Sequence, residues 1–139
     1  MSIVLGYDES PGSRQALTVA LDLAKQFDET LVLVYGAAPP GGLGEEFRSH
    51  REALNEVGRG IIERAVAESE AASVSPVVEL VDQRPAQALI SVAERHDARM
   101  IIVGTYGESP LRGAMVGSTP HKLLHLSSRP VLCVPALGR

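Results

Sequence analysis

The 139-residue sequence predicts an α/β fold: a single doubly wound, five-stranded parallel sheet with helices on both faces. Three observations carry that expectation. Short apolar runs alternate with longer segments of helical periodicity, in the order β-α-β-α-β-α-β-α-β, and such alternation signals parallel strands joined by right-handed crossovers. The runs are rich in β-branched residues and nearly unbroken, as strands buried on both faces are. Hydrophobic residues make up 45% of the chain but aromatics only 4%, with no Trp, so the core must be aliphatic.

Residues 3–7 (IVLGY) form the first strand, closed by the turn cluster DESPG. Ser10 reads as the N-cap and Pro11 as the first residue of a helix, with Ala16, Leu17, Ala20, Leu21, Leu23 and Ala24 recurring at helical spacing. Residues 30–35 (TLVLVY) are the second strand, and 36–44 (GAAPPGGLG) a Pro/Gly-rich loop. A long helix spans 45–72, with Phe47, Leu54, Val57, Ile61, Ala65 and Val66 on its apolar side. Gly58 and Gly60 weaken it by about 1 kcal/mol each, which favours a bend there. Residues 76–81 (PVVELV) are the third strand, and the leading Pro76 suits a sheet edge. Pro85 opens a helix to residue 96. Residues 99–103 (RMIIV) form the fourth strand, followed by a glycine-punctuated loop over 104–117. A short helix then runs to Leu126, and residues 130–134 (PVLCV) are the last strand. No repeat or linker divides the chain, so residues 1–139 read as one domain.

Composition excludes several function classes. Net charge is −4 and the isoelectric point about 5.5, with thirteen dispersed Lys and Arg, so there is no electrostatic footprint for nucleic acid. No basic amphipathic stretch suits a membrane surface, and no segment approaches a membrane span. The N-terminus MSIVLGYDES lacks a signal peptide's basic region, and the single Cys133 cannot form an internal disulfide. These features together predict the cytoplasm.

In a sheet of order 3-2-1-4-5 the winding reverses between strands 1 and 4, and ligands of open α/β sheets bind beyond the carboxyl ends of the strands there. That crevice takes the loop from Gly6 to Ser10 and the loop from Gly104 to Ser118. The second reads GTYGESPLRGAMVGSTP, in which Gly104, Gly107 and Gly117-Ser118 fit the spacing G-x2-G-x9-G-S/T. Glycines let a backbone approach a polyanion and adopt positive φ. Gly117, Ser118 and Thr119 open a helix, whose free N–H groups and positive dipole end favour phosphate. The alternative is structural, with the glycines turning the chain and Ser118 capping the helix. No GxxxxGKS/T loop is present, and no GxGxxG follows the first strand, which argues against P-loop and dinucleotide sites.

Over essentially its whole length the chain resembles the universal stress protein family. IVLGYDES at the start, ARMIIVGTYG at strand 4, the spaced GST and the terminal RPVLCVP carry the resemblance. It implies the adenine nucleotide alpha hydrolase-like (Rossmann-like) fold, and the full glycine pattern implies the ATP-binding branch. By position it places Gly6 and Asp8 near adenosine, Gly36 beside the adenine, and Val103 and Gly104 at the ribose. Gly107, Gly117, Ser118 and Thr119 would hold the phosphates, with Mg²⁺ bridging them. It further implies a homodimer joined antiparallel through residues 130–134, and a regulatory stress-response role. Two positions depart from the family pattern. Glu108 stands where many members carry a basic residue, and Pro120 removes an N–H that would face the anion.

Other residues have two readings each. Asp8 can accept a hydrogen bond from a ligand, or bond its own backbone in a turn. Arg112 can clamp a triphosphate, or be a solvated loop arginine; Tyr106 is expected to pack over the loop. His121 and His125 share a helix face at i, i+4, the spacing of a metal pair, but no third ligand accompanies them, so surface or dimer contacts are the expected role. Cys133 reads as a small buried hydrophobe. Neither a GxSxG elbow nor a Ser-His-Asp set is present, so no catalytic residue is assigned and ATP hydrolysis is expected to be slow at most. An ATPase or nucleotidyl hydrolase, and a ligand-free protein-interaction module, are the competing classes.

Overall fold

The structure, a computed structural model, describes residues 1–37, 45–105 and 117–136, and the side chains of all of these except 45–51. Five strands, β1 (Ser2–Gly6), β2 (Thr30–Gly36), β3 (Val77–Val81), β4 (Ala98–Gly104) and β5 (Val131–Val134), form one sheet. Its order is β3-β2-β1-β4-β5 and every pairing is parallel. Four helices alternate with them: α1 (Pro11–Phe27), α2 (Glu45–Ala71), α3 (Pro85–Arg95) and α4 (Ser118–Leu126). The parallel pairing is the one that the alternation predicts, the strand order is the doubly wound 3-2-1-4-5 expected, and Pro76 does precede an edge strand.

Successive residues of a strand point to opposite faces, and here both faces are apolar. Ile3, Leu5, Leu31, Leu33 and Ile102 face α1 and α2, packing on Ala16, Leu17, Ala20, Ile62 and Ala65. Val4, Val32, Val34, Ile101 and Val103 face α3 and α4, packing on Ala88, Leu89, Val92 and Leu123. This double burial is why the strands read as continuous apolar runs.

Helix α1 is closed at both ends by local chemistry. The Ser10 hydroxyl accepts from the Ser13 N–H at 3.3 Å, Pro11 occupies the first turn, and Asp28 ends the helix in a left-handed conformation (φ 53°). Ala16, Ala20 and Ala24, all buried, give it a small-residue stripe against the sheet.

Helix α2 departs from the sequence reading. Val57, assigned to the apolar side, is 55% exposed, and the buried stripe is Gly58, Ile62, Ala65 and Ser69. The helix continues through both glycines. Gly58 faces the sheet because a Cβ there would lie 2.6 Å from Cδ1 of Tyr35, so the missing side chain makes room for that ring. Ser69 is fully buried and its hydroxyl donates to the Ala65 carbonyl at 2.7 Å. Phe47 lies outside the described side chains.

Among the described residues, no further strand pairs with β3 or β5, the two edges of the sheet. On β3, Val77 and Val78 are exposed, and on β5 Leu132 is exposed. Cys133 is half-buried rather than enclosed, and burial pushes its thiol pKa up. No described helix is long and apolar enough to cross a membrane.

Candidate functional site

Where the winding reverses, a cavity of about 470 Å³ opens beyond the carboxyl ends of the strands, within the usual size of small-molecule sites. Its floor is strand backbone: Gly6 from β1, Val34 to Gly36 from β2, and Val103 to Thr105 from β4. One wall is Pro85 and Leu89 of α3. The rim carries Asp8, Ser10 and Ser13 on one side, and Gly117 to Pro120 at the start of α4 on the other. Gly6, Asp8, Gly36, Val103, Gly104, Gly117, Ser118 and Thr119, scattered over the sequence, therefore meet at one cavity. Gly107, Arg112, Tyr106 and Glu108 lie outside the described residues.

The strand-end glycines have a packing reason that the loop reading did not contain. At Gly104 a Cβ would fall on the Gly12 carbonyl carbon and lie 2.5 Å from the Ser13 nitrogen. At Gly12 a Cβ would lie 2.7 Å from the Thr105 carbonyl oxygen. The first turn of α1 thus rests directly on the end of β4, backbone to backbone. Gly36 does the same for α3, since a Cβ there would lie 2.7 Å from the Ala88 Cβ and 3.2 Å from the Pro85 Cα. Strand ends without side chains bring the helix starts close and leave the cavity open above them.

The helix starts at this cavity are not equivalent. At α1 the donors are engaged internally: Ser10 caps Ser13, while the buried Ser13 hydroxyl accepts from the Asp8 N–H at 3.3 Å and donates to the Ser10 carbonyl at 3.1 Å. At α4 the N-cap is Gly117, in an ordinary extended conformation (φ −59°, ψ 163°), and no side chain caps the helix. Ser118 is therefore not the cap. Pro120 has no N–H, and the His121 N–H already bonds the Gly117 carbonyl at 3.0 Å. Among the described residues, the amides of Ser118 and Thr119 are left as the first-turn donors, with two hydroxyls beside them at the cavity. Such a helix start suits an anion.

Asp8 makes the turn contact of its structural reading at the edge of the cavity. Its Oδ1 accepts from the Ser10 N–H at 3.0 Å, as a turn residue does, and the residue also lines the cavity. The next residue, Glu9, holds a left-handed backbone (φ 70°), a conformation that costs a non-glycine residue about 1 kcal/mol or more. Two arginines anchor it there: Arg64 Nε meets its carboxylate at 2.8 Å, and Arg14 Nε donates to its carbonyl at 2.9 Å. Tyr7 lines the cavity as well; burial, followed by the nearby Glu9 charge, pushes its phenol pKa up and keeps it a hydrogen donor.

Among the described lining residues there is no His, Lys, Arg or Cys, and Asp8 is the one carboxylate. Among the described residues, no group of three His, Cys, Asp or Glu could hold a metal ion. What the described lining offers is apolar side chains, Val34, Leu89 and Val103 among them, together with hydroxyls, amides and one carboxylate. Tyr7, Tyr35, Ser13, Pro85 and Leu89 were not singled out from sequence. Pro85 and Leu89 carried a detectable signal in the helix opening after strand 3, since that helix must begin at the same carboxyl end.

The model of the Universal stress protein family matches residues 1–135. The chain belongs to that family. Universal stress protein in QAH/OAS sulfhydrylase 3'region, from Thermus aquaticus, is 32% identical over 139 residues, covering 96% of this chain and 97% of its own. A solved universal stress protein family member from Burkholderia pseudomallei is 29% identical with a TM-score of 0.77, covering 97% and 96% of the two chains. The fold is also that of the universal stress protein from Archaeoglobus fulgidus in complex with dAMP (19% identity, TM-score 0.72, covering 96% and 97%). Two further family structures share the fold at 24% and 15% identity, one in complex with cAMP and one, from Arabidopsis thaliana, with AMP bound.

Proposed function

We propose that this universal stress protein is a regulatory adenine-nucleotide-binding protein that takes ATP, with Mg²⁺ at its phosphates, in the cavity between β1 and β4. One observation carries the reading: a cavity of nucleoside size joins apolar side chains that suit a base to a helix start whose Ser118 and Thr119 amides have no partner among the described residues. Adenine would lie toward Gly36 and Leu89, ribose toward Asp8, Val103 and Gly104, and phosphate against Gly117, Ser118 and Thr119, with Gly6 beneath the adenosine. Gly107 and Arg112 would complete the phosphate end. The dAMP, cAMP and AMP complexes of fold relatives support an adenine mononucleotide unit; the spaced glycine pattern supports the longer phosphate chain. Mg²⁺ keeps several waters and needs few protein carboxylates beside phosphate oxygens, so Asp8 fits that role.

Hydrolysis is slow at most in this reading, because the one carboxylate among the described lining residues, Asp8, is engaged by the Ser10 N–H. The working form is a cytoplasmic homodimer joined through residues 130–134, since an open aliphatic edge carrying Leu132 invites pairing.

Calorimetry with ATP and AMP, with and without Mg²⁺, tests the site. Gly117→Leu fills the rim and should weaken ATP binding by about tenfold or more, some 1.4 kcal/mol, while the melting curve stays cooperative. Unchanged affinity in that variant defeats the assignment.

A further inference from the structure

Helix α4 carries two imidazoles that the cavity does not use. His121 and His125 are four residues apart, both exposed, with ring centroids 4.8 Å apart and ring planes at 71°. Residues at i and i+4 stand on one helix face, so the rings meet above the helix and are open to water. Zn–N bonds of about 2.0–2.1 Å place two nitrogens on one ion roughly 3 Å apart. Exposed rings at this separation reach that spacing by side-chain rotation alone.

The helix under them is lightly anchored. Of its nine residues only Pro120 and Leu123 are buried, Leu124 and Leu126 are 57% and 62% exposed, and no side chain caps its start. Tertiary packing rather than propensity holds most short helices together, and here there is little of it. A tie between the second and last turns therefore acts on a segment with room to stiffen. The donor set also selects the ion. Two neutral imidazoles suit borderline transition metals, whereas Mg²⁺ and Ca²⁺ want oxygen; α4 has no carboxylate, and Lys122 is its one fixed charge.

We propose that His121 and His125 chelate one transition-metal dication of the Zn²⁺, Ni²⁺ or Cu²⁺ class, completed by water, and that the bound ion stiffens α4. The same helix begins at the cavity with Ser118 and Thr119, so the ion would pre-order the anion seat. That consequence rests on the nucleotide reading; the chelate does not.

The test uses untagged full-length protein and no nucleotide. Zn²⁺ and Ni²⁺ are titrated calorimetrically against wild type, His121→Ala, His125→Ala, His96→Ala and Cys133→Ser, with Mg²⁺ as control. Both α4 positions are exposed and alanine is a good helix former, so these variants keep the fold, as circular dichroism would verify. The expected result is one ion per chain, weakened about tenfold or more by either α4 substitution and unaffected by the other two. Amide exchange over residues 119–126 should slow with Zn²⁺ in wild type and not in His121→Ala. Binding that survives both histidine variants, that vanishes in Cys133→Ser, or that needs millimolar metal would overturn the proposal. Loss of nucleotide binding alone would leave it standing.

Discussion

The backbone contact between α1 and β4 makes Gly104→Ala the most informative substitution for the fold. The new methyl carbon would lie 2.5 Å from the Ser13 nitrogen and 2.7 Å from the Gly12 carbonyl oxygen, with the Gly12 carbonyl carbon closer still. These obstacles are main-chain atoms in the capped first turn of a helix, so no side chain can swing aside. Overpacking costs typically about 1–3 kcal/mol, and a rigid obstacle puts this case at the upper end, near 3 kcal/mol. At about 2.1 cal/mol/K of unfolding entropy per residue, that lowers Tm by roughly 10 °C. Gly60→Ala is the matched control: a Cβ there meets nothing within 4 Å, so better helix propensity should add about 1 kcal/mol and raise Tm by roughly 3 °C. Differential scanning calorimetry, with urea midpoints as a second readout, measures both. Because Gly12 and Gly104 guard the same contact, the Gly12→Ala, Gly104→Ala double variant should lose less than the sum of the singles. A Gly104→Ala protein melting within about 2 °C of wild type, well inside the roughly 10 °C expected, would refute the packing argument.

Two further outcomes are expected. In Gly58→Ala the added methyl presses on the Tyr35 ring, 2.6 Å from Cδ1 and 2.9 Å from Cε1. That ring also lines the cavity, so ATP affinity should fall several-fold by calorimetry, while a helix-propensity gain of about 1 kcal/mol offsets part of the clash in Tm; unchanged affinity would separate the ring from the site. Arg99 Nε donates to both oxygens of the Glu29 carboxylate at 2.9 and 3.0 Å and its guanidinium stacks over Phe27 at 4.5 Å. That hydrogen bonding, with the Arg99 charge, holds the Glu29 carboxyl below its ordinary value of 4.5. A carboxyl lowered by folding stabilises the protein above its unfolded pKa, and the contribution disappears as pH falls through the folded value. Urea midpoints should therefore drop below about pH 4.5, and Arg99→Gln should flatten that part of the profile. Parallel profiles would count against the pair.

The architecture was legible because burial on two faces leaves a plain mark. Runs such as TLVLVY are too short for helices and too apolar for one-sided strands, and the turn chemistry of Ser10-Pro11 and Pro85 marked helix starts within a residue. The face of α2 was legible in part: Ala65 is buried, and Ile61 and Val66 pack against the core as expected. Its centre was missed, because the buried Gly58 and Ser69 carry almost no hydrophobic signal while the bulkier Val57 turns to solvent. At the site, strand order pointed to the loops after strands 1 and 4, with Gly6, Asp8, Gly104 and Gly117, because all strand ends of a parallel sheet open on one side; Gly36 and Val103 came from the family resemblance. Side chains entering from α3 escaped notice, since Leu89 looks in sequence like any core leucine. The packing purpose of Gly12 and Gly104 was also hidden, for no local pattern shows that two glycines ninety residues apart must touch.

The pairing of β1 with β4 has a consequence for how the molecule is made. Ser2 lies opposite Ala98 and Leu5 opposite Ile102, so one flank of the innermost strand waits unpaired until nearly three quarters of the polypeptide has been synthesised. The β1–β2 neighbours can meet early, but the hydrophobic slab cannot close, nor can α1 settle on Gly104, before β4 leaves the ribosome. Topologies dominated by such distant partnerships fold slowly and expose sticky edges on the way. A nascent chain halted before residue 98 would present Ile3, Val4 and Leu5 to whatever chaperone or aggregate reached them first.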